Sequence, residues 1–261
     1  MPIILTSNWD SRAVLTIAES MPVDKKEKWE IQAGKMFFKY RRATYHLRYI
    51  NQCYQKMMSE MPLTAGGKQF EESDNSSYAG PLAEVLLFHL DGFFEAERSA
   101  HNFVLSCLST ADILEGAPNS LHDFYKKASQ KPDVYLTNPS EVKESLLTFW
   151  KKTGLRTKEY RDCFNHSVSL SGPTWQHAVN MQWENRSWKV SFHLPDNPTS
   201  NSYRLFMFDK KLDALKVATE INEETDRFLR LLMATCSTKW NAEVGDSPQE
   251  QFTLNNVVIG G

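Results

Sequence analysis

Apolar residues recur at alternating spacings of three and four over a long stretch that begins near Asp24. They form one stripe: Trp29, Ala33, Met36, Tyr40, Ala43, Leu47, Ile50, Tyr54 and Met57. This period predicts a long helix that buries the stripe. Asp24, with Glu27 three residues later, predicts a capping box at its start, and Pro62 predicts its end. The face opposite the stripe is basic: Lys35, Lys39, Arg41, Arg42 and Arg48.

Helical spacing returns in several later segments. A polar, glycine-containing linker is predicted over 62–81, and a second long helix over 81–116. A shorter helix is predicted around 120–129. The next helix has Asn138 at its N-cap and Pro139 and Glu141 in its first turn, and Lys151, Lys152 and Gly154 are its predicted end. Another short helix is predicted to run to Gly172–Pro173, and a closing helix to begin at Asp209.

Between the last two helices the pattern changes to a period of two. Residues 175–194 alternate apolar and polar on both sides of a Glu-Asn-Arg-Ser turn, which predicts a β-hairpin, and 203–208 can add a third strand. Trp175, Trp183 and Trp188 either cover this sheet against the helices or offer a stacking surface for bases or a peptide.

The predicted fold is therefore mainly α, an antiparallel helical bundle with a small inserted antiparallel β-hairpin or three-stranded sheet before the last helix. We predict one domain over 1–240 with the β insertion at about 174–208, because so few strands cannot form an independent core. Residues 241–261 are predicted to be a flexible C-terminal tail.

Composition narrows the class of protein. Hydrophobic residues make up 41% and charged residues 24% of the 261 positions, as in ordinary folded proteins. No apolar run has membrane-spanning length and the N-terminus lacks a secretory pattern, so we expect a cytoplasmic protein without membrane contact. The net charge of −2 means that any nucleic-acid function needs a local basic patch.

The spacing of cysteines, histidines and carboxylates in the sequence gives little indication of a metal site or a disulfide bond. The four cysteines (Cys53, Cys107, Cys163, Cys236) are scattered, which predicts buried, reduced thiols. His89 and His101 lie on the second long helix near Asp91, Glu95 and Glu97. A metal site in a helical bundle uses Glu-x-x-His pairs on several helices, and no such pair occurs here. We expect neither a metal nor another cofactor.

The segment "YRDCFNH" concentrates side chains with catalytic potential: Arg161, Asp162, Asn165 and His166. It resembles the R-[ND]-x-x-x-H motif of the HEPN family of small helical-bundle proteins. The looser Arg-to-His spacing also occurs at Arg41–His46 and Arg186–His193. Only the copy at 161–166 has an aspartate directly after the arginine and follows two long helices. The chain is longer than the usual family domain, and the inserted sheet is not a constant part of the family.

The resemblance implies a function. HEPN proteins belong to prokaryotic conflict and toxin–antitoxin systems, and many look like metal-independent ribonucleases that act as dimers with a shared cleft. It therefore implies a homodimer, an RNA substrate that is cleaved or only bound, and a protein partner or antitoxin. Arg161 and His166 would be the catalytic pair, with Asp162 and Asn165 beside them.

Helix geometry indicates which of these residues lie on the same face of the predicted helix and can act together. Positions 162 and 166 share one face, so the Asp162 carboxylate can orient the imidazole, whereas positions 161 and 166 lie about 140° apart. His166 would move a proton and Arg161 would hold the phosphoryl oxygens. The alternatives are an ordinary exposed helix with an Asp–His pair, or a non-enzymatic protein–protein interaction module that uses the hairpin or the basic helix face.

Overall fold

The computed structural model describes residues 4–5, 11–60, 72–116, 118–131, 133–166, 179–184, 187–202, 205–242 and 252–253. The helices are α1 (Ser11–Glu19), α2 (Val23–Glu60), α3 (Glu72–Thr110), α4 (Leu121–Gln130), α5 (Glu141–Phe149), α6 (Leu155–His166) and α7 (Ala214–Lys239). The strands are β1 (Ile4–Leu5), β2 (Val179–Glu184), β3 (Ser187–Leu194), β4 (Leu212–Asp213) and β5 (Phe252–Thr253). The protein is thus mainly helical with a small antiparallel sheet before the last helix, as predicted.

The chain divides into two compact units, each discontinuous in sequence. The helical unit comprises Met1–Thr44, Ala96–Lys158 and Ile221–Gly261, and the sheet unit comprises Tyr45–Glu95 and Glu159–Glu220. Helices α2, α3, α6 and α7 contribute residues to both. The extent of a single domain over 1–240 stays a prediction.

Aromatic side chains join several helices in the core of the helical unit. Trp29 is fully buried and its Nε1 donates a hydrogen bond to the carbonyl oxygen of Val14 at 3.0 Å, which joins α2 to α1. The rings of Phe149 in α5 and Phe228 in α7 stack with centroids 3.9 Å apart. All nine residues of the predicted α2 stripe are buried, so the helical period correctly identified the packed face of that helix.

Helices α2 and α3 begin earlier than the sequence predicts. Asp24 lies inside the first turn of α2 instead of capping it, because the N–H groups of Lys25 and Lys26 donate to the carbonyl of Pro22. Helix α3 begins at Glu72, so the second half of the predicted linker is helical and Pro81 lies inside the helix.

Side chains that precede α5 and α7 accept hydrogen bonds from N–H groups in the first turns of these helices. Helix α5 begins at Glu141, and the hydroxyl of Thr137, not Asn138, accepts a hydrogen bond from the Lys143 N–H at 3.2 Å. Helix α7 begins five residues after the predicted start, because Asp213 Oδ1 accepts from the Lys216 N–H at 3.0 Å and caps it there.

The predicted end of α5 at Lys151, Lys152 and Gly154 is wrong. The chain continues through a π-helical turn, Trp150–Gly154, directly into α6. Gly154 does not have the positive φ of a C-cap glycine. A Cβ at Gly154 would instead lie 2.7 Å from Cε3 of the buried Trp150 ring. This glycine makes room for an indole ring, which the sequence pattern does not distinguish from a helix stop.

The predicted hairpin is confirmed and its third strand is elsewhere. Strands β2 and β3 pair antiparallel from Val179↔Phe192 to Glu184↔Ser187, and β4 pairs with β3 at its end. Of the predicted strand at 203–208, residues 203–204 lie outside the described part and 205–208 form no strand. The Asn197 side chain donates a hydrogen bond to the carbonyl of Leu205 and accepts one from the N–H of Met207. A strand would use these backbone groups to pair with a neighbouring strand.

The Tyr54 hydroxyl joins three elements of the sheet unit. It accepts hydrogen bonds from the N–H groups of Phe192 in β3 (3.2 Å) and Leu215 in α7 (3.4 Å). It lies 3.2 Å from Oδ2 of Asp213 in β4, to which it can donate. Burial, and then the Asp213 charge, raise the pKa of Tyr54 well above that of an exposed tyrosine. The hydroxyl therefore stays protonated and fixes the sheet to α2.

Several predictions fall on residues outside this description. Trp175, the end of the motif helix at Gly172–Pro173 and the hairpin turn at 185–186 lie outside it, as do the side chains of Trp183 and Trp188. Most of the predicted tail does too, although Phe252–Thr253 pairs with Ile4–Leu5. All four cysteines are free and buried. No helix in the described ranges is long and apolar enough to cross a membrane.

Candidate functional site

The candidate motif lies on α6, whose inner face is packed in the sheet unit. Tyr160 and Phe164 flank the ring of Phe94 from α3, with centroid distances of 5.3 and 5.7 Å. The Tyr160 hydroxyl also donates to the carbonyl of Pro195 at 3.3 Å. Cys163 is buried on the same side, and burial raises the pKa of its thiol to about 12. These contacts fix α6 and leave positions 161, 162 and 165 on its outer side.

Arg161 is held between two carboxylates. Its Nε donates to Glu95 Oε2 at 2.9 Å, and its Nη1 donates to Asp162 Oδ1 at 2.8 Å. Glu95 directly follows the packed Phe94 on α3, so the same aromatic contact that seats α6 brings the carboxylate to the arginine. Two hydrogen bonds to carboxylates on packed helices thus hold the guanidinium without a bound ligand.

The electrostatics of this group keep Arg161 charged. Burial lowers the pKa of the guanidinium, but the hydrogen bonds from it to Asp162 and then Glu95 raise that pKa, and the net shift is upward. About a third of the arginine side chain is exposed to solvent (32%). Its Nη2 makes no hydrogen bond within the part of the chain that the structure describes. The arginine therefore presents a fixed donor to solvent, next to two negative charges.

The structure brings together only part of the predicted constellation. Arg161 and Asp162 are in contact, and Asn165 is exposed. His166 is the last residue of α6, and its side chain lies outside the described part. The helix is α-helical through 155–166, so positions 161 and 166 keep the angular separation of about 140° expected from the sequence. The predicted Asp162–His166 pair stays a prediction.

The histidines and carboxylates of α3 are distributed between the two units. In the sheet unit, the Nδ1 atoms of His89 and His46 lie 3.1 Å apart, and the ring of His46 fills the space that a Cβ at Gly92 would need. Burial lowers the pKa of His89. A ring of Tyr49 stacks on His89 with centroids 4.9 Å apart. Two imidazoles this close hold each other by a hydrogen bond between their nitrogens.

In the helical unit, Glu97 and His101 are fully buried. Glu97 Oε1 accepts from Asn222 at 2.9 Å, and His101 Nε2 lies 3.0 Å from Thr225 Oγ1. No group of three or more metal-type side chains is arranged to hold an ion anywhere in the described residues. The sequence shows that this segment contains several polar residues. It does not distinguish Glu95, which pairs with Arg161 at the surface, from Glu97, which is buried in the core.

Glu95 is the site residue that the motif did not reveal. It lies 66 positions before Arg161, and no local spacing connects the two. The single available signal was its place among polar residues of an otherwise apolar helix. Comparison of the chain with protein-family models, with curated proteins and with solved structures gave no match.

Proposed function

We propose that this chain is a HEPN-like RNA-binding protein that cleaves RNA at Arg161 and His166. The observation that carries the proposal is the fixed guanidinium of Arg161, which keeps an unused donor toward solvent on the motif helix. Planar guanidinium donors suit phosphoryl oxygens, and a donor that is already positioned costs little reorganisation when charge develops. The resemblance to the HEPN motif supplies the choice of RNA as substrate.

The proposed reaction is an internal transesterification. A general base removes the proton of the 2′-hydroxyl, the 2′-oxygen attacks phosphorus, and the bond from phosphorus to the 5′-oxygen breaks as a general acid gives that oxygen a proton. His166 moves the proton at the 2′-oxygen or at the leaving oxygen, and Arg161 binds the phosphoryl oxygens. The products are a 2′,3′-cyclic phosphate and a 5′-hydroxyl. Asp162, one helical turn before position 166, orients the imidazole and holds Arg161, and Asn165 lies beside them.

The proposal includes the finer features of the family. The helices would form an antiparallel bundle, and two copies of the chain would pair so that both motifs share one cleft. Positions 161 and 166 lie about 140° apart around one helix, so one helix alone does not bring them together. Such pairing would bring Arg161 of one copy toward His166 of the other. A cytoplasmic defence or toxin-type role, with an antitoxin as partner, belongs to the same proposal.

The test is RNA degradation by the purified protein with chelator present. We expect wild type to produce cyclic-phosphate ends, identified by mass spectrometry, and Arg161→Ala and His166→Ala to lose at least about a hundredfold in rate. Arg156→Ala, on the same helix, and His122→Ala, an exposed histidine of α4, are matched controls that keep the rate. No cleavage by wild type, or equal cleavage by all variants, refutes the proposed reaction.

A second candidate is a non-enzymatic interaction module. Its support is a group of exposed aromatic side chains in the sheet unit, where Tyr45 is 50% and Phe88 59% exposed. Both rings contact His46, at centroid distances of 5.7 and 6.4 Å, so they belong to one cluster. Exposed aromatic side chains are common anchors of protein interfaces. Under this candidate, Phe88→Asp abolishes association of the protein with its partner or with itself, measured by sedimentation, and RNA cleavage is absent.

A further inference from the structure

One face of α2 carries positive charge without any negative charge. From Ile31 to Ser59 the sequence contains six lysines and arginines and no aspartate or glutamate. Four of these cations, Lys35, Lys39, Arg41 and Arg42, lie in the part of α2 that belongs to the helical unit. The net charge of the whole protein is −2, so this segment is a local exception. An uninterrupted cationic surface attracts polyanions.

An exposed aromatic ring lies among these cations. Phe38 is 64% exposed, although a phenylalanine normally packs inside. Lys35 is three residues before it, and Arg41 and Arg42 follow three and four residues later, which places all of them within about 60° of one helical face. The apolar stripe of α2 is buried in the core. Phe38 is therefore not part of the packed face of the helix.

Three cations of this face are not neutralised by carboxylates in the described part of the chain. Lys35, Lys39 and Arg41 form no salt bridge in the ranges that the structure describes. The Arg41 guanidinium instead lies 4.9 Å from the Phe37 ring centroid, and the Lys35 Nζ lies 5.9 Å from that of Phe103. Cations elsewhere in the same unit are paired, as in Lys127–Asp123, Lys152–Glu224 and Arg227–Glu224. Lys35, Lys39 and Arg41 therefore keep their charge available for a ligand.

We propose that this α2 basic face (Lys35, Phe38, Lys39, Arg41, Arg42) binds single-stranded RNA. Its lysines and arginines contact phosphates, and a base stacks on the Phe38 ring, which only an unpaired base can do. Single-stranded RNA fits better than a membrane, because the apolar face that an interfacial helix would insert is occupied by the core. The exposed ring among planar guanidinium groups favours bases over an acidic polypeptide. The choice of RNA over DNA rests on the proposed function, and the surface itself requires no cleavage.

The test is binding of the full-length protein to a fluorescent, unstructured 2′-O-methyl RNA of about 20 nucleotides, which cannot be cleaved through its 2′-oxygen. Fluorescence anisotropy is measured at several salt concentrations for Lys35→Glu/Arg41→Glu and for the control Lys126→Glu/Lys151→Glu, which changes the charge equally at exposed sites. We expect the first variant to bind at least about tenfold more weakly and its salt slope to fall by about 1.4, since each phosphate contact contributes about 0.7.

Phe38→Ala isolates the stacking contribution, because it removes an exposed ring without a change in charge. We expect about tenfold weaker binding with an unchanged salt slope. Circular dichroism and thermal unfolding establish that each variant is folded.

The outcomes separate this inference from the proposed cleavage. Weakened binding in the α2 variants supports the inference even if wild type does not cleave RNA. In that case we expect Arg161→Ala to bind this probe nearly as well as wild type. Equal weakening by both charge variants overturns it. So does tighter binding of polyglutamate, or of vesicles that contain phosphatidylserine, than of the RNA probe.

Discussion

The Nε atom of Arg161 lies 2.9 Å from Oε2 of Glu95, and the carboxylate of Asp162 lies on the other side of the same guanidinium. Two negative charges thus surround one positive charge at a partly exposed position. Such a group holds the arginine in place, but it also repels an incoming phosphate. Neutralising one carboxylate should therefore strengthen RNA binding beyond the effect of net charge if Arg161 contacts a phosphate, and by no more than that effect if the arginine is purely structural.

Glu95→Gln is predicted to strengthen RNA binding if Arg161 contacts phosphate. Glutamine keeps a hydrogen-bond acceptor for the arginine and removes the competing charge, so we expect an affinity gain of about two- to fivefold, the worth of one exposed charge pair. The measurement is anisotropy with the non-cleavable RNA at low salt. Glu84→Gln, an exposed carboxylate elsewhere on α3, is the control for net charge. An equal gain in both variants would show that Arg161 has no special role.

Gly154→Ala is predicted to destabilise the protein, and Gly34→Ala to stabilise it. A Cβ at Gly154 would lie 2.7 Å from Cε3 of the Trp150 ring, whereas nothing lies within 4 Å of a Cβ at Gly34. We expect a loss of about 1–3 kcal/mol at Gly154 from overpacking and a gain of about 0.5–1 kcal/mol at Gly34 from helix propensity. Urea denaturation gives both free energies of unfolding. A neutral result at Gly154 would mean that the indole ring can move.

The sequence predicted the buried face of α2, but it did not predict the role of Gly154 or the partner of Arg161. The α2 stripe was readable because its period follows from helix geometry alone. Lys151, Lys152 and Gly154 have the composition of a helix end, and only the position of the Trp150 ring reveals a different use of the glycine. The Glu95–Arg161 contact joins positions 66 residues apart, beyond any local pattern. Local chemistry was predictable, and tertiary contacts that override it were not.

Tyr54→Phe is predicted to lower the free energy of unfolding by about 1–3 kcal/mol. The substitution removes the hydroxyl that accepts from the Phe192 N–H and lies against Asp213, and it leaves buried polar groups without that partner. Tyr125→Phe is the matched control, because its hydroxyl makes no hydrogen bond in the described ranges and its ring is half-buried. A change at Tyr54 no larger than at Tyr125 would contradict the role of this hydroxyl in joining the sheet to α2.

The buried histidine His101 makes stability depend on pH. It is fully buried in the helical unit, its Nε2 lies 3.0 Å from Thr225 Oγ1 and 3.5 Å from Glu97 Oε2, and its ring is edge-on to Phe149. Burial lowers its pKa, hydrogen bonding and charge from Glu97 raise it, and the Arg98 charge lowers it, with a net downward shift. The unfolded chain, with a pKa near about 6.5, therefore binds a proton that the folded protein does not.

Stability should consequently fall as the pH drops below about 6.5 and level off, for this group, below its folded pKa. The slope from one such histidine is at most about 1.4 kcal/mol per pH unit. His101→Gln is predicted to remove that part of the slope, measured by urea denaturation between pH 7.5 and pH 5, because glutamine does not titrate. Thr225→Val removes the hydroxyl partner but keeps the titrating ring, so it should lower stability by about 1 kcal/mol with the slope retained. If His101→Gln and wild type have the same slope, the pKa of His101 is the same in the folded and unfolded chains, which contradicts the prediction; a contribution of opposite sign would mean that the imidazole is protonated in the folded core and paired with Glu97.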